Sequence, residues 1–189
     1  MQSWRSVRRV AELGSFALRK ANTMEIKIRP EAQTDNATIE VVTIAAFLNA
    51  EHTSHTEQHI VDGLRKAGRL ALSLVAEKDG EIVGHVAVSP VVLSDGTPGW
   101  FGLGPISVIP QYQQQGIGSK LMREALSQLR ELGAMGCVVL GDPQYYGRFG
   151  FKAEAGLVLP GVPPEYFMAS AFGSVLPRGT VAYHEAFNA

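Results

Sequence analysis

Residues 104–122 read GPISVIPQYQQQGIGSKLM and combine an apolar run, a glycine-containing turn and the start of a helix. The apolar run, typical of a β-strand, ends at Pro110, and a long amphipathic helix begins after Gly118. This order brings free backbone N–H groups and the positive end of a helix dipole to one point, which suits a phosphate or pyrophosphate. Glycines matter there because a side chain would hold the phosphate away from the backbone.

The turn does not match two common phosphate-binding motifs. The chain has no Gly-x-x-x-x-Gly-Lys-Ser/Thr, which excludes a Walker A loop, and no Gly-x-Gly-x-x-Gly after an early strand, which excludes the dinucleotide fingerprint. What remains is Gln-x-x-Gly-x-Gly from Gln113 to Gly118, preceded by Val108-x-Pro110. This motif resembles the acyl-CoA pyrophosphate loop of the GNAT superfamily of N-acetyltransferases. The alternative is an ordinary strand–turn–helix with a glycine turn.

Length, charge and cysteine content narrow the class of protein. The 189 residues suit one domain, and the formal net charge of −1, without a basic face, gives no sign of a nucleic-acid partner. Apolar runs are much shorter than a membrane span. Cys137 is the only cysteine, which excludes an internal disulfide and a cysteine-based zinc cluster, and its apolar neighbours predict a buried strand. No set of His, Asp and Glu side chains has the spacing of metal ligands, so no metal is expected.

The first residues differ in composition from the rest of the chain. Residues 1–23 carry five basic side chains and one acidic side chain, Glu12. They lack the uninterrupted apolar segment of a secretory signal. We therefore predict that residues 1–23 are an N-terminal extension without function and that 24–189 form a single domain in the cytoplasm.

Hydrophobic periodicity predicts the element order β-α-α-β-β-β-α-β-α-β-β. A helix over 119–132 is the strongest element, and an Asp79-Gly80 hairpin signal joins two strands. The last two strands are predicted over 166–172 and 179–187, as a pair joined by a turn at 177–179. This is the order of a mixed α/β domain. It resembles the GNAT-like acyl-CoA N-acyltransferase fold, whose central mixed, mostly antiparallel sheet is flanked by helices.

A second motif follows the strand behind the long helix. Residues 141–151 read GDPQYYGRFGF, which contains the Tyr-x-x-x-Gly-Phe pattern of GNAT enzymes from Tyr146 to Phe151. The whole motif over residues 141–151 resembles that of a subgroup of predicted bacterial GNAT acetyltransferases. The resemblance implies that Tyr146 protonates the leaving thiolate, while Tyr145 packs or lines the substrate side. Aromatic packing of both tyrosines under a short helix is the alternative, and that helix is expected to be about a turn shorter than in many relatives.

The resemblance implies direct transfer of an acetyl group from acetyl-CoA to an amine. The backbone of Ile106, Ser107 and Val108 would hold the pantetheine arm, and the Val108 N–H would stabilise the oxyanion. The residues expected to hold the pyrophosphate form one continuous run: Gln113, Gln114, Gln115, Gly116, Ile117, Gly118 and Ser119. The catalytic residues implied are therefore Tyr146, as general acid, and Val108.

The general base is open at this stage. The candidates are Asp142, Glu57, His52, His55 and His85, and a water chain is a further alternative. The acceptor is expected to be a small-molecule amine or a protein amine. Dimers are common in such folds, so a homodimer is one expectation. Two rival functions are a non-catalytic acyl-CoA-binding sensor and a longer-chain acyltransferase.

Overall fold

The computed structural model describes residues 25–50, 53 and 55–188. The predicted extension over 1–23 and the candidate base His52 lie outside the described residues. Within the described ranges the helices are α1 (Asn36–Phe47), α2 (Glu57–Lys66), α3 (Ile117–Glu131) and α4 (Pro143–Tyr146). The strands are β1 (Lys27–Pro30), β2 (Leu72–Lys78), β3 (Glu81–Pro90), β4 (Val92–Leu93), β5 (Trp100–Val108), β6 (Gly136–Leu140), β7 (Leu157–Val158), β8 (Phe167–Ala171) and β9 (Gly179–Ala182). Short 3-10 turns cover Gln33–Asp35, Pro110–Tyr112, Gly147–Phe149, Pro164–Tyr166 and Glu185–Asn188.

The main sheet has the strand order β1-β2-β3-β5-β6-β8. Its neighbouring strands run antiparallel, except β5 and β6, which run parallel. A smaller set of strands pairs in the order β4-β9-β7. The predicted architecture, a mixed and mostly antiparallel sheet flanked by helices, is confirmed.

Helices cover both faces of the main sheet. Leu74 packs in the core cluster that contains the inner face of α3, whereas the next residue, Val75, packs with Ile39 of α1 and Val61 of α2. Since successive strand residues point to opposite faces, α3 lies on one face and the pair α1 and α2 on the other. The central strands of the sheet are therefore enclosed between two helical layers.

The long helix α3 forms because its apolar residues recur on one face. Its fully buried positions are Ile117, Leu121, Met122, Ala125, Leu126 and Leu129, as the sequence pattern predicts. The helix ends before Gly133, whose φ of 76° is the left-handed conformation that terminates many helices. The hairpin at Asp79 and Gly80 is also present, with φ values of 52° and 84°.

The predicted C-terminal strand pair is wrong. Strand β8 pairs with β6, and β9 covers only Gly179–Ala182 and pairs with β4 and β7. Polar groups of the loop behind β4 hold the chain there: the Asp95 carboxylate accepts the Arg178 N–H at 3.0 Å, and the Ser94 hydroxyl accepts the Thr180 N–H at 2.9 Å. Alternating residues predict a strand, but these distant contacts select its partner.

Candidate active site

The parallel strands β5 and β6 separate after a short contact. Their pairing ends where Gly102 lies opposite Val138, although β5 continues to Val108. Over residues 103–108, β5 keeps β3 on one edge, and its other edge has no strand partner in the described part of the chain. We call this opening, between β5 residues 103–108 and β6 residues 139–140, the strand fork. It leaves backbone hydrogen-bonding groups available to an extended ligand.

The backbone N–H groups of β5 point alternately toward β3 and into the strand fork. The Ile109 N–H donates to Val83 O at 3.0 Å, so it points toward β3. Because successive N–H groups of a strand point to opposite edges, those of Ile106 and Val108 point into the fork and that of Ser107 points toward β3. The position predicted for the oxyanion donor therefore faces the opening.

The turn between β5 and α3 leaves backbone donors unpaired. Gly116 adopts φ 81° at the start of α3, and no side chain caps this helix end. The Lys120 N–H donates to Gly116 O at 3.0 Å. The N–H groups of residues 117–119 precede this bond and have no intrahelical acceptor. They lie at the positive end of the helix dipole, as an anion site requires.

Two glutamine side chains brace this turn. Gln113 Nε2 donates to Val108 O at 2.9 Å, and Gln115 Nε2 donates to Gln111 O at 3.0 Å. The Gln113 N–H is itself used, because it donates to Pro110 O at 3.2 Å. The first glutamine of the motif thus joins the end of the strand fork to the turn.

Tyr145 lies against the N-terminus of α3. A Cβ atom placed on Gly118 would stand 2.8 Å from Tyr145 Oη. The tyrosine hydroxyl can therefore pack here only because residue 118 has no side chain. Burial raises the pKa of Tyr145, while the Ser119 hydroxyl and the charges of Arg148 and Arg123 lower it in part. The two arginines add positive potential beside the turn. Sequence reasoning placed Tyr145 in packing or on the substrate side and missed its contact with the phosphate-binding turn.

Tyr146 lies on the short helix α4 and packs against the core cluster that contains the inner face of α3. Its ring stands edge-on to Tyr145 with centroids 5.0 Å apart, and a Cβ on Gly141 would lie 2.6 Å from Tyr146 Cε2. Burial raises the pKa of Tyr146 well above its usual value, and the charged forms of Tyr145 and Asp142 add to this effect. The hydroxyl therefore keeps its proton at neutral pH. The helix has four residues, so it is as short as expected.

The base candidates occupy different environments. Asp142 caps α4, since its side chain accepts a backbone N–H at 2.9 Å. Thr53 donates to the Glu57 carboxylate at 2.5 Å, and His55 is exposed. His85 is fully buried in β3. The general base therefore stays open among these candidates.

Tyr183 is a residue of this region that sequence reasoning missed. Its ring covers the backbone of Gly102, where a Cβ would lie 2.2 Å from Tyr183 Cε1. The ring also packs against that of Phe187, with the two centroids 4.7 Å apart. Ala186 packs against Gly63 of α2 and anchors this C-terminal segment. Local sequence predicted a strand here, and no motif marks the residue.

Two classes of feature are absent from the described residues. In the ranges 25–50, 53 and 55–188 no group of three or more His, Cys, Asp or Glu side chains could hold a metal ion. Among the same residues no helix has the length and apolarity needed to cross a membrane.

The strand fork and the turn define an acyltransferase of the acyl-CoA-binding type, and comparison with known proteins identifies the family. The sequence model of the acetyltransferase (GNAT) family matches residues 39–151. The uncharacterised N-acetyltransferase YhbS of Escherichia coli is 38% identical over 152 residues, covering 77% of this chain and 91% of YhbS.

Two solved structures are also similar. A GNAT acetyltransferase from Brucella melitensis in complex with acetyl-CoA has 51% identity and a TM-score of 0.78, covering 87% of this chain and 99% of its own. Escherichia coli YhbS in complex with CoA has 34% identity and a TM-score of 0.81, covering 88% and 94%. The chain belongs to the GNAT acetyltransferase family. The predicted family, fold and class of enzyme, an acetyl-CoA-dependent N-acetyltransferase, are confirmed.

Proposed function

We propose that the protein transfers an acetyl group from acetyl-CoA to a primary amine by direct attack of the nitrogen on the thioester carbon. The observation that carries this proposal is the continuity of the strand fork with the turn at 113–119. An extended acyl-CoA needs an open strand edge for its pantetheine arm and an anion site for its pyrophosphate. The two sites adjoin here, joined by the bond from Gln113 to Val108 O.

The ligand would lie along β5 as an added strand. Its amide groups would pair with the main chain of Ile106 and Val108, on either side of Ser107. The pyrophosphate would accept N–H groups from Gln114, Gln115, Gly116, Ile117, Gly118 and Ser119, next to Gln113. Acetyl-CoA bound to the Brucella relative and CoA bound to YhbS support this choice of ligand.

The chemical step uses a main-chain donor and a tyrosine. As nitrogen attacks, negative charge develops on the thioester oxygen, and the Val108 N–H would stabilise it. The C–S bond then breaks, and Tyr146 would give its proton to the thiolate. Burial raises the pKa of Tyr146, so its hydroxyl still carries the proton when the thiolate forms.

The acceptor is an amine of a small molecule or of a protein. We place this reaction in the cytoplasm. A homodimer is compatible with this scheme, and its presence is decided by the measured mass in solution.

The test is release of free CoA thiol from acetyl-CoA in the presence of amines. The panel contains small polyamines, amino acids, aminoglycosides and peptides with free N-terminal or lysine amines. We expect thiol release above the amine-free rate with at least one class, together with a product heavier by one acetyl group. Binding of acetyl-CoA without turnover on any amine would instead support the sensor.

A further inference from the structure

The helix α1 crosses the main sheet and ends over the strand fork. Ile39 packs in one cluster with Val75 of β2 and Ala87 of β3. Thr43, one turn later, has its Oγ1 3.5 Å from Ser107 Oγ of β5. The strand order is β2-β3-β5, so the helix advances across the sheet toward β5. One more turn advances by about 5.4 Å, which exceeds the strand spacing of about 4.8 Å. The last turn of α1 therefore lies beyond β5, over the open edge beside Ser107.

A pocket of about 250 Å³ lies between this end of α1 and the start of α2. Ile44, Phe47 and Leu48 form its apolar wall, and His55 and Gln58 line the other side. Gln58 Nε2 donates to His55 O at 3.2 Å, so this amide joins the first turn of α2 to the loop before it. We call this space the α1–α2 pocket. Its position next to the strand fork makes it continuous with the proposed acyl-CoA site.

The wall of the α1–α2 pocket leaves large apolar side chains uncovered. Ile44 is 43% exposed and Leu48 is 63% exposed, and both lie on one stripe of the helix. Neighbouring exposed apolar side chains of this size are typical of binding sites. An apolar cavity of about 150 Å³ already holds benzene, so the pocket has room for a phenyl ring or a chain of about five carbon atoms.

The carboxylates of this region lie outside the pocket. Glu40 and Asp62 line a second cavity between the two helices, and Asp62 Oδ2 pairs with Lys66 Nζ at 2.6 Å. Glu57 is buried at the start of α2, where its Oε1 accepts the Thr53 hydroxyl at 2.5 Å. The described residues that line the pocket include no carboxylate. An ammonium group buried there would lack an anionic partner, which is unfavourable.

We propose that the α1–α2 pocket receives the apolar part of the acceptor, which is a small primary monoamine with an alkyl or aryl group. The assignment rests on the proposed function, because it places the amine relative to a thioester in the strand fork. The amine nitrogen lies beside Ser107 and Val108, and the chain behind it extends along Phe47 into the pocket. Polyamines and aminoglycosides fit poorly, because their further ammonium groups would have to enter an apolar space.

The first measurement compares acceptors that differ in one terminal group. Pentylamine and cadaverine have the same five-carbon chain, but cadaverine carries a second ammonium at its far end. We expect kcat/KM from thiol release to be about 100-fold higher for pentylamine, since the second charge would be buried unpaired. From ethylamine to pentylamine, each added methylene should raise kcat/KM about 4-fold as it is buried. Equal values for pentylamine and cadaverine would overturn the proposal.

The second measurement reverses the preference with a charge. Ile44→Asp places a carboxylate in the pocket at a partly exposed position, so the fold is expected to survive. Its kcat/KM should fall about 10-fold for pentylamine and rise about 10-fold for cadaverine, whose second ammonium gains a partner. Leu48→Asp should act in the same direction. Val41→Asp is the matched control, because Val41 is 64% exposed on the same helix and is not among the residues that line the pocket.

The third measurement records binding without turnover. CoA has no acetyl group to transfer, so protein saturated with CoA can bind pentylamine without reacting. Methyl NMR of isoleucine-labelled protein should show a saturable shift of the Ile44 δ1 signal, assigned with Ile44→Val. Cadaverine at the same concentration should leave the signal in place. An Ile44 signal that does not move with pentylamine would overturn the pocket.

The outcomes separate the pocket from the proposed function. Wild-type protein that releases no thiol with any amine, alkylamines included, overturns both. Release with polyamines, aminoglycosides or peptides but not with monoamines overturns the pocket and leaves acetyl transfer standing. If Val41→Asp alters the rates as much as Ile44→Asp and lowers the mass in solution, the stripe is an interface between two copies, and the pocket assignment is wrong.

Discussion

Replacement of Gly116 by valine tests the phosphate-binding turn most directly, and the chain offers a matched control. Gly116 adopts φ 81° and Gly68, behind α2, adopts φ 62°, and a Cβ on either residue would meet no atom within 4 Å. Gly116→Val and Gly68→Val therefore impose the same kind of backbone strain without a clash inside the protein. The two variants differ in where the new side chain points. The valine at position 116 enters the proposed pyrophosphate site, whereas the valine at position 68 lies away from it.

The expected magnitudes follow from backbone strain and ligand linkage. A side chain in the left-handed region costs about 1–2 kcal/mol, so both variants should lose stability by a similar amount. For a chain of this size that loss corresponds to a fall in Tm of about 2–8 °C. Saturation with CoA at 100 times Kd adds about 2.7 kcal/mol to the free energy of unfolding, and should raise Tm by about 5–10 °C.

The assay is thermal unfolding with and without CoA, supported by calorimetric titration. Gly68→Val should keep the full CoA-dependent rise in Tm, and Gly116→Val should lose most of it, because valine occupies the anion site and is branched at Cβ. ATP and NAD should give much smaller shifts in the wild-type protein. Micromolar CoA affinity in folded Gly116→Val would refute the assignment of this turn to the pyrophosphate.

Three further outcomes are expected. Tyr146→Phe should lower kcat about 100-fold with little change in CoA affinity, because it removes one proton donor and keeps the ring; Tyr145→Phe should be milder, and the reverse order in steady-state kinetics would mean that the acid is Tyr145. Deletion of residues 1–23 should change neither Tm nor CoA affinity, whereas a lower Tm would show that the segment docks on the domain. The depressed pKa of His85, about 4 against 6.5, means that the unfolded chain binds its proton more tightly. The free energy of unfolding should therefore fall by about 3 kcal/mol as pH drops from 6.5 to 4. His85→Gln should lack this component in pH-dependent denaturant unfolding, and an unchanged pH dependence would contradict a buried neutral ring.

The turn and the helix behind it could be predicted because their causes are local. Glycine at Gly116 permits the left-handed φ, and the apolar residues of α3 recur with the helical period. Both effects act within a few residues of the chain. The same holds for the Asp79-Gly80 hairpin and for the terminating glycine at Gly133.

The partners of the late strands could not be predicted in this way. The sequence pattern predicts a strand over 179–187, but only 179–182 form one, and Ser94 and Asp95, more than 80 positions away, hold it beside β4 rather than β8. A strand has two equivalent edges for pairing, so its neighbour depends on which surfaces the rest of the fold leaves open.

Local sequence accounts for the phosphate-binding turn, because a turn and a helix terminus are conformations of one short segment. Tertiary structure alone creates the strand fork and the hydrogen-bonded row of Arg65, Glu31, Ser73 and His85. Arg65 and Glu31 are 34 positions apart, and Thr43 and Ser107 are 64 apart. Polar side chains so distant share one environment only after the sheet has formed and two helices have excluded water from its face. Burial then sets the pKa of His85, which is not a property of the residue in its own segment.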